Sequence, residues 1–245
     1  MRTRRDEEAL PVLAEPILLD RSRPATAHPS TPSARPAPAP LDWMTLADAF
    51  ETACLLRCMP PPAMPGNRLA AQQPVQPVTI EFNREEAARR TGQLLDRLDI
   101  PVRHELAVGG LRRRYELHRL HVEREHRPTY AAIVENGWRR GRREMLGGSV
   151  PGASTARRLW RTRLAAAAWR AALLAGGRHV RRHILGVRIT DRELGAVLVR
   201  GAALLDVPAL LRPSTGCFLV SVAHGRDRDQ ILRYAAEEAV QRPVA

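Results

Sequence analysis

Lysine is absent from this sequence: all 39 basic residues among its 245 are arginine. Aromatic residues make up only 4% against 44% apolar residues overall, so a core must rest on Leu, Ala and Val. Cysteine is limited to Cys54, Cys58 and Cys217, too few and too odd in number for a disulfide framework, which fits a reducing compartment; a cytoplasmic location is expected. No apolar run approaches the ~18 residues of a membrane span, so no membrane association is expected. The opening MRTRRDEEALPVLAEPILLD has its apolar pieces interrupted by Pro11 and Pro16, which excludes a signal-peptide core. No P-loop, GxGxxG or HExxH pattern is found, so neither an enzyme nor a cofactor is expected.

Acidic residues are missing from one long window. Between Arg139 and Arg188 there are thirteen arginines and one acid, Glu144, a net of +12 in a chain whose total is +13. GC-rich coding raises Arg, Ala, Pro and Gly together, but it does not remove acids from a single stretch. Charge concentrated in this way is the footprint of a face that meets a polyanion.

The organisation follows proline. Six prolines between Pro24 and Pro40 make residues 1–41 a disordered arm, because that composition cannot repay its ordering entropy. Residues 42–59 predict a separate amphipathic helix, with Thr45 and Asp48 as a capping arrangement, and it must dock on the main body or on a partner. A Pro-rich linker, 60–77, follows, and 78–245 reads as a mainly helical basic domain. The expected fold class is mainly α, a multi-helix core with a minor β component in short strands near 78–82 and 217–223. Helices are expected over 83–98, 110–127, 129–146, 155–175, 190–205 and 228–240. The clearest signals are a Thr190–Glu193 capping box and a cap at Asp227. No internal repeat is visible.

The helix from 156 to 175 has two apolar sides. Trp160, Leu164, Ala167, Ala171 and Leu174 form one, and Leu159, Trp169 and Leu173 the other, so contact on both sides is expected. Its charge then concentrates at the first turns, where Ser154, Thr155, Arg157, Arg158 and Arg161 gather. A helix N-terminus with guanidinium groups suits phosphate. With Arg139, Arg140, Arg142 and Arg143 before it, and Arg178, Arg181 and Arg182 after it, this is the expected nucleic-acid-binding set. A loose helix-turn-helix can be drawn from 129–146, GGSVPG and the helix beyond, and a second within 200–211.

Other constellations are weaker chemically. His118, His121 and Glu125 fall on one side of the expected helix 110–127 and are the alternative metal ligands, although Leu111, Tyr115 and Val122 share that sector. Ser221, His224 and Asp227 follow one another in SVAHGRD without a nucleophile elbow. The sequence therefore points to a regulatory or accessory nucleic-acid-binding protein, with DNA before RNA as the partner. A scaffold that docks an acidic protein is the alternative, self-association remaining open in either case.

Overall fold

The computed structural model describes residues 42–59, 78–109, 114–148, 154–181 and 184–236, the side chains of 178–181 excepted. The expected arm 1–41 and linker 60–77 lie outside the described residues. In chain order the elements are α1 (Trp43–Arg57), β1 (Val78–Phe82), α2 (Glu85–Arg97), β2 (Val102–Gly109), β3 (Tyr115–Val122) and α3 (Arg127–Leu146). Then follow α4 (Thr155–Ala175), β4 (Gly177–Arg181), β5 (Ile184–Ile189), α5 (Arg192–Leu204), β6 (Ala209–Ser214), β7 (Cys217–Ala223) and α6 (Arg226–Ala236). The fold is mixed α/β rather than mainly α. The expected helix over 110–127 is largely strand β3, and β2, β4, β5 and β6 add strands where none was expected.

All strand pairs are antiparallel, in two sheets: β1-β3-β2 (sheet A) and β4-β5-β7-β6 (sheet B). The element order shows a duplication that the residues conceal. A central helix, a strand, a helix, a hairpin and a closing helix occur twice. Thus α1, β1, α2, β2, β3 and α3 correspond to α4, β5, α5, β6, β7 and α6, and the sheet orders β1-β3-β2 and β5-β7-β6 agree. One local trace of it survives in the sequence. Leu98-Asp99-Ile100-Pro101 ends α2 and Leu205-Asp206-Val207-Pro208 ends α5. Both aspartates adopt left-handed backbone, with φ of 55° and 56°. The Ile100 amide donates to the Leu95 carbonyl and the Val207 amide to Ala202, each at 2.9 Å. Each is a Schellman cap, and the following proline prevents the helix from continuing.

Helix α1 is not peripheral. It packs on α3 and α4, with Ala49, Phe50, Cys54 and Leu55 fully buried. Close approach explains the two glycines that lower the helix propensity of α3. A Cβ on Gly137 would stand 2.6 Å from the Ala49 backbone, and one on Gly141 would stand 2.1 Å from the Phe50 ring. Trp138 stacks on Phe50 at 6.1 Å, and the Arg57 guanidinium lies 4.0 Å from the Trp138 ring centre. Helix α4 is buried all round from Leu164 to Leu173, as its two apolar sides predict. Burial also holds the Cys58 thiol up at about 12 and pushes the Cys54 thiol well above its ordinary range.

A buried ion cluster joins the two halves. Glu51 of α1, only 1% exposed, accepts two bonds from Arg90 of α2, at 2.6 and 2.8 Å, and one from Arg170 of α4 at 2.5 Å. Arg170 also donates to the Ala235 carbonyl of α6 at 2.7 Å. Such a cluster adds little net stability, but removing one member strands the charges of the others.

The caps refine the expected helix ends. Ser154 caps α4 by accepting from the Arg157 amide at 3.3 Å. Helix α1 is capped by Asp42, which accepts from Thr45, and α5 by Asp191, which accepts from Glu193 and Leu194, one residue beyond Thr190. Among the described residues, no helix is long and apolar enough to cross a membrane.

Candidate nucleic-acid interface

The arginines of α3 and α4 cluster in space, but carboxylates reach them, Glu144 from within the acid-poor window and Glu135 and Glu193 from outside it. Arg139 pairs with Glu135 at 3.2 Å, Arg157 with Glu144 at 3.3 Å, and Arg142 with Glu193 of α5. Arg161 is turned inward, at 7% exposure, donating to the carbonyls of Met145 at 3.2 Å and Gly147 at 2.8 Å. There it caps the C-terminal end of α3 with a side chain. Arg140, Arg143, Arg158 and Thr155 are exposed. Arg178 and Arg181 are on β4, in register with Val187 and Ile184, and Arg182 lies outside the described residues.

Helices α3 and α4 form where the first helix-turn-helix was drawn, with α4 exposed over its first turns and buried from Leu164 to Leu173. The second candidate is α5 followed by strand β6, not a second helix. The metal candidates also separate. Alternate residues of a strand face opposite ways, so His118 and His121, three apart on β3, cannot share a side. His118 is buried and 3.2 Å from His104, whereas His121 bonds Glu105 at 2.9 Å and Thr79 at 3.2 Å. Glu125 is in a 3-10 turn beside His126 and Glu123.

Each sheet has one face under helices and one open to solvent. In sheet A the covered face carries Ile80, Phe82, Leu120 and Val122. By register, its outer face carries Thr79, Glu81, Arg103, Glu105, Arg119 and His121. That face is electrically balanced: Arg119 donates to Glu81 at 2.8 Å, and Glu105 holds His121. In sheet B the covered face carries Leu185, Val187, Ile189, Val220 and Val222. The outer face carries Arg188 and Arg212, with Gly186, Leu210, Ser214, Cys217, Leu219 and Ser221 around them. Arg188 and Arg212 both stand opposite Leu219, so one cross-strand row reads Arg, Leu, Arg, with the two arginines about 10 Å apart, two strand spacings. Among the described residues no carboxylate is on this face.

Sequence reasoning named neither Arg188 nor Arg212 as a site residue. The signal was the alternation around them, in LGVRI and ALLRP, where a single polar residue breaks an apolar strand on its solvent side.

No protein-family profile matches the chain, and no curated protein matches it. Solved structures do share its fold. Full-length DUF199/WhiA from Thermatoga maritima aligns with a TM-score of 0.52 at 13% identity, covering 78% of this chain and 56% of that one. I-DmoI in complex with DNA and Mn aligns with a TM-score of 0.50 at 15% identity, covering 79% of this chain and 98% of that one. A variant of I-DmoI in complex with its target DNA in the presence of Mg gives 0.50 at 14% identity. The chain thus spans just over half the length of the DUF199/WhiA protein and nearly all of I-DmoI.

Proposed function

We propose that this chain binds double-stranded DNA through the outer face of sheet B. The observation that carries the reading is the carboxylate-free row Arg188, Leu219, Arg212 on an open antiparallel sheet. Guanidinium groups bind phosphate with paired hydrogen bonds, and a β-ribbon fits the major groove. β4, which carries Arg178 and Arg181, is the strand next to β5 at the edge of the same sheet. The shared fold supports the reading, since I-DmoI is a protein solved on DNA.

The α3–α4 cluster is the lesser contributor in this account, because Arg139, Arg142 and Arg157 have carboxylate partners and Arg161 is buried. The reading stops at binding. I-DmoI was solved with Mn, but in this chain the one described group of three metal-ligating side chains is Glu123, Glu125 and His126, exposed or partly so in the turn after β3. That group does not face out from sheet B. A regulatory or accessory role in a reducing compartment completes the proposal.

The test is a fluorescence-anisotropy titration of a labelled duplex at several salt concentrations. Each lost phosphate contact lowers the salt slope by about 0.9. Arg188→Ala with Arg212→Ala should therefore flatten it by roughly two units. An unchanged slope would remove sheet B from the interface, and tighter binding of a matched RNA hairpin would exchange the ligand.

A further inference from the structure

We infer that a second surface, remote from sheet B, docks an acidic peptide segment of a partner protein that carries bulky apolar side chains. The surface is a groove of about 860 Å³ where the start of α1, the end of α3 and the first turns of α4 meet. The groove lies at the N-terminal end of α4, and β4 begins at the other end. Twenty-one helical residues separate the two by roughly 30 Å.

Two features of the groove define its occupant. Its apolar lining is exposed where exposure is costly: Trp43 is 57% and Leu159 63% exposed, and Trp160 stands beside them. Contiguous apolar surface with a polar rim marks a binding site more often than chance solvent exposure does. Its rim is basic: Arg140, Arg143, Arg157 and Arg163 line it against a single carboxylate, Glu144. Glu144 is paired with Arg157. The complement of such a surface is a segment with acids outside and Leu or Phe inside, the pattern of an amphipathic helix lying in a groove.

The aromatic geometry favours a peptide over stacked bases. Trp43 meets Trp160 edge to face at 6.1 Å, and the Arg163 guanidinium lies 5.2 Å from the Trp43 ring centre. One ring face of Trp43 is thereby occupied by a cation of the chain itself. A base-stacking platform needs open ring faces. The inference also differs from the sheet B reading in its residues, so each stands or falls without the other.

The experiment titrates the full chain with a fluorescein-labelled twelve-residue peptide in which Asp and Glu alternate with Leu and Phe. A control peptide keeps the acids and replaces each Leu and Phe by Ser. Saturable binding of the first peptide is expected, with about tenfold weaker binding of the control, as loss of the apolar anchors implies. Arg143→Glu and Arg163→Glu should each weaken binding about tenfold, since a rim charge of the wrong sign opposes the ligand. Leu159→Ser, which leaves net charge unchanged, should also weaken it, whereas Arg188→Ala with Arg212→Ala should not. Equal binding of both peptides, or no effect of Leu159→Ser, would reduce the surface to unspecific charge and overturn the inference. So would absence of binding, or a single-stranded oligonucleotide that binds better than the peptide and responds to the same variants. Circular-dichroism melts of the three groove variants, expected to match the parent, separate lost docking from lost folding.

Discussion

Sheets A and B share a strand order and a place in the duplicated fold, yet their outer faces have diverged. Sheet A sets Arg103 and Arg119 against Glu81 and Glu105 and ties His121 into the same network. Sheet B keeps Arg188 and Arg212 and has no acid among its described outward residues. The covered faces, by contrast, are alike: apart from His118 of sheet A, their buried residues are Ile, Leu, Val or Phe under a helix. The repeated architecture is therefore carried by the buried faces, while the exposed faces differ in charge. A self-paired surface gives phosphate little net attraction, whereas a face whose described outward residues include two guanidinium groups and no carboxylate attracts it more strongly.

The comparison can be broken most severely at the cluster that joins the halves. Glu51→Ala leaves Arg90 and Arg170 without their shared carboxylate and should cost about 3–5 kcal/mol. A thermal melt should show one cooperative transition at lower temperature, and two separate transitions would make the halves independent folding units. Next in size is charge reversal on the outer face of sheet B. Arg188→Glu with Arg212→Glu should weaken duplex binding by about a hundredfold at low salt, because each change removes an attraction and adds a repulsion. The same double reversal at Arg103 and Arg119 should leave binding within a few-fold.

A smaller effect is expected from chemical labelling. Cys217 is on the outer face of sheet B, whereas Cys54 and Cys58 are buried with thiols held above their ordinary range. Iodoacetamide at pH 8 should therefore modify Cys217 first in the native chain, and bound duplex should slow it, as read by mass spectrometry. The smallest change belongs to sheet A. Glu81→Gln with Glu105→Gln releases Arg119 and Arg103 from acidic company and should raise DNA affinity by several-fold at most, as expected for exposed charges.

Helices with strong periodicity and the strands at 78–82 and 217–223 were legible in the sequence, and the other strands were not. The two-sided burial of α4 follows from its Ala, Leu and Trp spacing, and of Ser154 and Thr155, either of which could cap it, Ser154 does. β3 was misread because YELHRLHV has His118 facing inward, so alternation of polar and apolar residues fails at the position that matters. Gly137 and Gly141 look like flaws in a helix until α1 is placed against them. The window over 139–188 holds a single acid in sequence, but Glu135 and Glu193 sit just outside it and return to the cluster in space. Linear charge counts miss that return, and they also miss Arg212, which only the sheet register brings beside Arg188. The duplication was hidden because burial needs apolar volume and not identity, which left the Leu-Asp-Ile/Val-Pro caps as its one local trace.

The most direct measurement is a salt titration of duplex binding for two matched double variants, Arg188→Ala with Arg212→Ala and Arg103→Ala with Arg119→Ala. The account expects the sheet B pair to flatten the salt slope by roughly two units while the sheet A pair leaves it unchanged. Equal slopes for the two variants, or a loss confined to sheet A, would contradict it.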